Sequence, residues 1–536
     1  MSSLTSRRRS RPMVLALLAL IPFMVALRAA PVAQASPTQY SVMMDDNLLL
    51  YSSNAIRLKT LEDMKSLGVQ AVRATLLWSA VASRTKNPAT HHRFNPANPG
   101  DYPRGAWANY DQLVEDAATV DMTVYFDVTG PGPSWAMGKT SDPTEKPSFM
   151  PNVSQFAKFV TAVGTRYSGT YHGIGRVTVW SIWNEPNQVG WLSPQGVYNS
   201  RLHAVLPYSP ILYRKLWYAA RRALDQTGHA NDTVLAGETA PLGSPPQNGR
   251  TPMRPALFIQ QFFCVNSHLQ PYTGLQASVR GCSIFKREGP IEASGWAHHP
   301  YTKAEPPTWD KAPAGSIVIG NIAALPTLLN GIATNTGRVA MNLPVWITEM
   351  GYETKPPDRF RGVSLDDQAA YINETDYMAY KNPDVIAVTQ FLYQDAGPDK
   401  AFKKGTRGYW STYQSGLEFG PGNGVKPAGT PKPAYSAYRM PIWIAQAGTA
   451  ADPQLELWTW VRFISLNVTS KDEVIFQFKP NGSSAWTTVT PIETPNIFGF
   501  VDVTVPEDAY AVPGTWRSIY GGPDGVAISR DAPYPG

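Results

Sequence analysis

Cysteine is nearly missing from this chain: 536 residues carry two, Cys264 and Cys282. Two thiols alone do not build a structural zinc site. If the chain is exported, a disulfide between them is the expected state, with two buried free thiols as the alternative. Charge is sparse as well, at 16% of residues, and the formal excess of +6 is concentrated at the start. Arg7, Arg8, Arg9, Arg11 and Arg28 supply five positive charges with no acid among the first 35 residues, and +6 less those five leaves +1 for the remainder. So nearly neutral a chain is not expected to bind nucleic acid. Long apolar runs are missing too. Residues 13–27 come nearest, but Pro22 interrupts them, and they fall short of the ~20 residues that a membrane-spanning helix needs. Preceded by the arginine cluster and followed by Ala33-Gln34-Ala35, they read as a secretory signal over residues 1–35, with an uncleaved anchor as the alternative. The expected product is secreted, with no membrane association after signal cleavage. The sequence also lacks a G-x-S-x-G elbow, a phosphate-binding loop and His/Asp/Glu clusters at metal-ligand spacing. No metal and no cofactor is therefore implied.

Aromatic side chains are plentiful, at 11% of the chain with 16 Trp and 25 Tyr. Such a surplus suits a carbohydrate cleft, because the apolar faces of pyranose rings stack on aromatic faces. The length exceeds what one hydrophobic core normally supports, so a large unit and a smaller one are expected. From residue 40 to 438 short β-rich runs alternate with helix-period stretches, the pattern of parallel strands joined by crossover helices. Eight strands are predicted at 40–44, 71–78, 123–128, 177–183, 233–236, 293–298, 345–348 and 385–393. Residues 153–167 and 212–224 are among the predicted helices. Eight units over about 400 residues suit a TIM (β/α)8 barrel over 36–440. A doubly wound sheet is the runner-up, though no glycine-rich dinucleotide turn follows the first strand. Beyond 440 the pattern changes to short alternating strands, predicted at 458–465, 473–480, 485–489, 498–505 and 514–520, which read as a small C-terminal β-sandwich over 441–536.

Two strands carry the chemistry. Val177-Thr-Val-Trp-Ser-Ile-Trp ends in Asn184-Glu185-Pro186, and Pro344-Val-Trp-Ile-Thr ends in Glu349 followed by Met350-Gly351. Polar residues just past a barrel strand project into the mouth. Two carboxylates delivered there are what glycoside hydrolysis needs, one protonated to release the leaving oxygen and one ionised to attack. On these residues the chain resembles glycoside hydrolase clan A, the retaining barrels with acid/base and nucleophile on the fourth and seventh strands; its motifs look nearest to the cellulase-like family 5 and the family 39 type. The strand count puts the two glutamates on those same strands. The resemblance implies Glu185 as acid/base and Glu349 as nucleophile. It further implies Arg73 beside the nucleophile, Asn184 on the sugar 2-hydroxyl, His299 in the donor subsite, with adjacent His298 an alternative, and the Tyr301 hydroxyl on the nucleophile carboxylate. Where many clan members place a tryptophan on strand eight, this chain reads Val388-Thr-Gln-Phe-Leu-Tyr-Gln-Asp395, so Tyr393 or Phe391 is the expected sugar platform, with Gln394 or Asp395 as a polar contact. Trp135 and Trp191 are further stacking candidates. Glu238, Asp45 and Asp46 sit where a barrel displays functional groups and are read as substrate-contacting or structural. The expectation is a secreted retaining glycosidase cleaving O-glycosidic bonds of a poly- or oligosaccharide, with carbohydrate as its partner and a monomer favoured. A non-catalytic carbohydrate-binding barrel and a transglycosylase using the same residues are the alternatives.

Overall fold

The computed structural model describes residues 36, 39–464 and 466–536. The segment read as a secretory signal lies outside them. Eight parallel strands close into a barrel: β1 (Tyr40–Met44), β2 (Ala71–Leu77), β3 (Thr123–Thr129), β4 (Val179–Ile182), β5 (Thr233–Thr239), β6 (Gly295–His298), β7 (Val345–Met350) and β8 (Val385–Phe391). Closure comes from β8 pairing with β1 in parallel, Tyr40 opposite Ala387 through Met44 opposite Phe391. These strands are apolar on both faces, as strands covered by helices outside and filled by side chains inside must be. The predicted helices are also present, at Val153–Arg166 and Ser209–Leu224.

One side chain from each strand forms a layer across the barrel: Val42, Ala71, Tyr125, Val179, Leu235, Ala297, Trp346 and Ala387. This layer matters for the site, because side chains alternate along a strand and the residue two further on points the same way. The long β5–β6 connection is tied by a disulfide between Cys264 and Cys282, whose Cα atoms lie 5.8 Å apart. No described helix is long and apolar enough to cross a membrane.

After the last helix, Pro433–Arg439, the chain forms two antiparallel sheets. One contains β9 (Ile442–Thr449), β10 (Asp452–Trp460) and β13 (Phe500–Pro506); the other contains β11 (Glu473–Pro480), β12 (Thr487–Thr488), β14 (Gly514–Gly522), β15 (Gly525–Ile528) and β16 (Ala532–Tyr534). They share one core, Leu455 and Leu457 from the first facing Phe476 and Trp516 from the second. The sequence reading missed β9, β15 and β16. It also carried a strand through 458–465, where the structure ends β10 at Trp460 and forms a 3-10 turn at Arg462–Ile464. That turn exists because Arg462 is drawn into the barrel. It donates to Asp376 Oδ2 at 2.6 Å, Ser41 Oγ at 3.1 Å and the Tyr438 carbonyl at 2.9 Å. Ser41 is the second residue of β1, so the sandwich docks at the end of the barrel opposite the mouth. Gly68, at φ +86°, lies so close that a Cβ there would meet the Arg462 carbonyl oxygen at 2.3 Å.

Candidate active site

Counting two residues up from the filled layer gives the floor of the site. From Ala71 the count reaches Arg73, from Tyr125 it reaches Asp127, from Val179 Ser181, from Ala297 His299 and from Trp346 Thr348. Three register shifts interrupt the barrel; one gives β8 an extra residue between Val385 and Ala387, and the other two lie nearer the mouth. Along β5 and β6, Ala236 is opposite Trp296 but Thr239 is opposite His298, which gives β5 one extra residue. Along β8 and β7, Val388 is opposite Ile347 but Gln390 is opposite Met350, which gives β7 one extra residue. A bulge re-aims a side chain, and these two turn Glu238 and Glu349 toward the axis. Glu238 and Glu185 also have positive φ, 47° and 36°, a conformation that side-chain-bearing residues seldom adopt outside special sites.

The convergence is dense. Arg73, fully buried, donates to Glu349 Oε1 at 2.9 Å, Asn184 Oδ1 at 3.0 Å, Asp127 Oδ2 at 3.2 Å and Glu238 Oε2 at 3.2 Å. Glu238 accepts in addition from His299 Nε2 at 2.6 Å, Thr348 Oγ1 at 2.7 Å and the Tyr125 hydroxyl. His299 Nδ1 reaches Glu185 Oε1 at 3.0 Å and Glu349 Oε2 at 3.5 Å. The Tyr301 hydroxyl donates to Glu349 Oε2 at 3.0 Å. The six residues Glu185, Glu349, Arg73, Asn184, His299 and Tyr301, named from sequence, thus form one contact network. His298 takes a different place: its Nδ1 meets Thr239 Oγ1 at 2.8 Å and its Nε2 the Ile317 carbonyl at 2.9 Å.

Electrostatics follow from this packing. Burial alone would lower His299, but Glu349, Glu185 and Glu238 outweigh it and push the imidazole up to about 10. It is therefore an imidazolium at neutral pH, donating through both nitrogens. His298, buried without such partners, is pushed down to about 3 and stays neutral. Burial opposes ionisation of Glu238 too, yet Arg73 and His299 hold it well below the usual carboxylate range. Asp127 goes the other way, its burial outweighing Arg73. Burial also raises Glu349, against the pull of His299 and Arg73. Glu185, His299 and Glu349 bring one polar atom each within 4.8 Å of the others.

Above this floor opens a cleft of about 1120 Å³ lined by Asn184, Glu185, Tyr301, Glu349, Trp191 and Phe391, among others. On strand eight Phe391, not Tyr393, lines it. Alternation from Ala387 keeps Phe391 inward, whereas the chain leaves the strand at Leu392 and Tyr393 turns to bond Glu418 Oε1 at 3.0 Å. Gln394 donates its backbone N–H to Asp45 Oδ2, and Asp395 is buried against Lys432 at 2.6 Å. Trp135 also lies outside the lining: its ring packs edge-on against Trp78 and Phe94, and its Nε1 donates to Thr85 Oγ1 at 3.1 Å. Asp46 does line the cleft, while Asp45 caps the short helix after β1. Sequence reasoning missed Asp127, Thr348 and Tyr125, all visible in principle as inward positions of strands already located. It also missed Tyr413, a cleft-lining residue whose ring meets Phe391 at 5.1 Å. Tyr413 lies in a loop, where no periodicity announces it.

No family model and no curated sequence matches the chain. Solved structures similar to it include glycoside hydrolases. The β-glucosidase of Thermotoga maritima in complex with deoxynojirimycin is 11% identical with a TM-score of 0.46, covering 76% of this chain and 98% of its own. GH5_18 from Streptomyces cattleya in complex with GlcNAc is 15% identical with a TM-score of 0.42, covering 76% of this chain and 79% of its own. The β-glucuronidase of Bacteroides uniformis is 11% identical with a TM-score of 0.40 over 94% of this chain, which spans 47% of that protein. At such TM-scores none of them decides what the cleft does.

Proposed function

We propose that the chain is a retaining glycoside hydrolase of the clan A type, exported through the signal at residues 1–35, with its catalytic unit at 36–440 and an accessory sandwich at 441–536. Glu349 is the nucleophile and Glu185 the acid/base. The observation that carries this reading is the meeting of Glu185, His299 and Glu349 within 4.8 Å. Retaining glycosidases hold their carboxyl groups ~5–5.5 Å apart, whereas inverting ones leave roughly 6.5–9.5 Å for a water molecule. The donor set supports the division of roles. Arg73 and Tyr301 direct an N–H and an O–H at Glu349, which favours its ionised form against its burial, while the His299 Nδ1 bonds Glu185. Glu185, the more exposed of the two, faces the leaving group.

In the first step a Glu349 oxygen bonds the anomeric carbon as the bond to the leaving oxygen breaks, and that oxygen takes a proton from Glu185. In the second step Glu185, now a carboxylate, takes a proton from water while the water oxygen attacks the anomeric carbon. The ester bond breaks, Glu349 returns as a carboxylate and Glu185 is protonated again. Two inversions leave the configuration retained. Asn184, held by Arg73 and by its own backbone N–H to Thr129 Oγ1 at 2.9 Å, is positioned for the sugar 2-hydroxyl. A cleft of about 1120 Å³ exceeds the roughly 300–1,000 Å³ of ordinary small-molecule sites, which suits an oligosaccharide. On a panel of aryl glycosides and polysaccharides the wild-type protein should hydrolyse at least one, and Glu349→Ala should lower that rate about 10³-fold or more. A Glu349→Ala protein as active as wild type would remove the nucleophile assignment.

A further inference from the structure

Three cations line the cleft without belonging to the network on its floor. Lys303 follows β6, Arg361 follows β7 and Arg407 follows β8. Because β6, β7 and β8 are neighbours in the barrel, their loops share one sector of the mouth. The facing side, with Thr75, Leu77, Gln188, Trp191 and Leu242, carries no positive charge. All three cations are exposed, and none forms an ion pair among the described residues. By contrast Arg57, Arg166 and Lys432 are each held by a carboxylate. Unpaired cations on a convex surface are simply solvated; inside a cleft with low-dielectric walls their field is focused on whatever enters.

Two neighbours sharpen the point. Glu353, the carboxyl that Arg361 acts on, is pushed up to about 8 by burial and by Asp358, so at neutral pH it leaves the guanidinium charge largely uncompensated. The Tyr413 hydroxyl is pushed up to about 12 by burial, Glu185 and Glu349, with Arg361 acting in the opposite sense. One phenol thus lies within electrostatic reach of both the catalytic carboxylates and Arg361. We propose that the β6–β8 side of the cleft is a subsite for an anionic group of the glycan, a uronate carboxylate or a sulfate ester, bound by Arg361 with Arg407 and Lys303. A planar guanidinium engages either oxyanion through two parallel N–H bonds. The proposal rests on the reading of the cleft as a glycan site.

The test is calorimetric binding to the full-length Glu349→Gln protein of three oligosaccharide series of matched length: neutral, uronate-containing and sulfated. At least one anionic series should bind about tenfold or more tighter than the neutral one. Its advantage should shrink between about 20 mM and about 200 mM salt and disappear in Arg361→Gln/Arg407→Gln, while Lys303→Gln alone should reduce it. Which anionic series gains the advantage identifies the group recognised. Equal or tighter binding of the neutral series, or anionic binding unchanged by the double variant, overturns the subsite while leaving the glycosidase reading intact. If no saccharide of any series binds, both fall.

Discussion

Arg73 answers to four oxygens from four different parts of the barrel, and His299 bridges three carboxylates. At the scale of single residues the site is a buried charge balance, in which Arg73 and His299 face Glu238 and Glu349. A buried charge is tolerated only when paired and hydrogen-bonded. The consequence can be measured at His299, whose folded value of about 10 lies above the ordinary 6.5. The folded protein binds this proton more tightly than the unfolded chain does. The resulting stabilisation is complete below 6.5 and is lost as the pH rises through 10. We expect the His299 ring resonances to titrate near 10 by NMR, and the His299→Asn protein to lose part of the wild type's decline in stability across that alkaline window. A midpoint near 6.5 would contradict the charge balance. His299 and Glu349 were legible in the sequence because each ends an apolar strand. Asp127 was not, although it stands two residues beyond Tyr125 on a located strand, because nothing in its local sequence separates an inward carboxylate from an outward one.

Elements explain which parts of the site could be read in advance. All eight barrel strands were legible because strands buried on both faces leave short, dense apolar runs. Their bulges were not, since an extra residue in β5 or β7 depends on pairing with the neighbouring strand. It is these bulges that aim Glu238 and Glu349. Trp135 and Tyr393 show the same limit from the other side. Each is an aromatic just past a strand, and only the direction taken by the chain after the strand decides whether it meets the cleft or the packed flank. The β5–β6 connection offers a prediction at this scale. Its disulfide closes a loop with a sequence separation of 18, and a loop of that size is worth about 3 kcal/mol. The Cys264→Ser/Cys282→Ser protein should unfold at correspondingly lower denaturant concentration, and an unchanged midpoint would show that the bridge adds nothing.

For the molecule as a whole, the sandwich is fastened to the barrel rather than tethered to it. Arg462 is buried between Trp460 and Tyr438, 3.7 and 4.0 Å from their ring centroids, and paired with Asp376. Lys381 meets Glu456 at 2.7 Å, and Tyr380 donates to Asp502 at 3.2 Å across the same junction. Removing one member of a buried pair strands the other, at a cost of about 3–5 kcal/mol. Arg462→Ala should therefore lower the melting temperature of the whole chain in a single calorimetric transition. Two separated transitions would instead mean that barrel and sandwich unfold independently. The docking face lies opposite the cleft, so the sandwich stabilises the barrel from below and does not complete the mouth.

The central claim is that Glu185 and Glu349 act by double displacement, and the anomeric configuration of the first-formed product tests it most directly. On an aryl glycoside that the protein hydrolyses, NMR recorded before mutarotation should show the product with the configuration of the substrate. A product that first appears with inverted configuration would contradict the account.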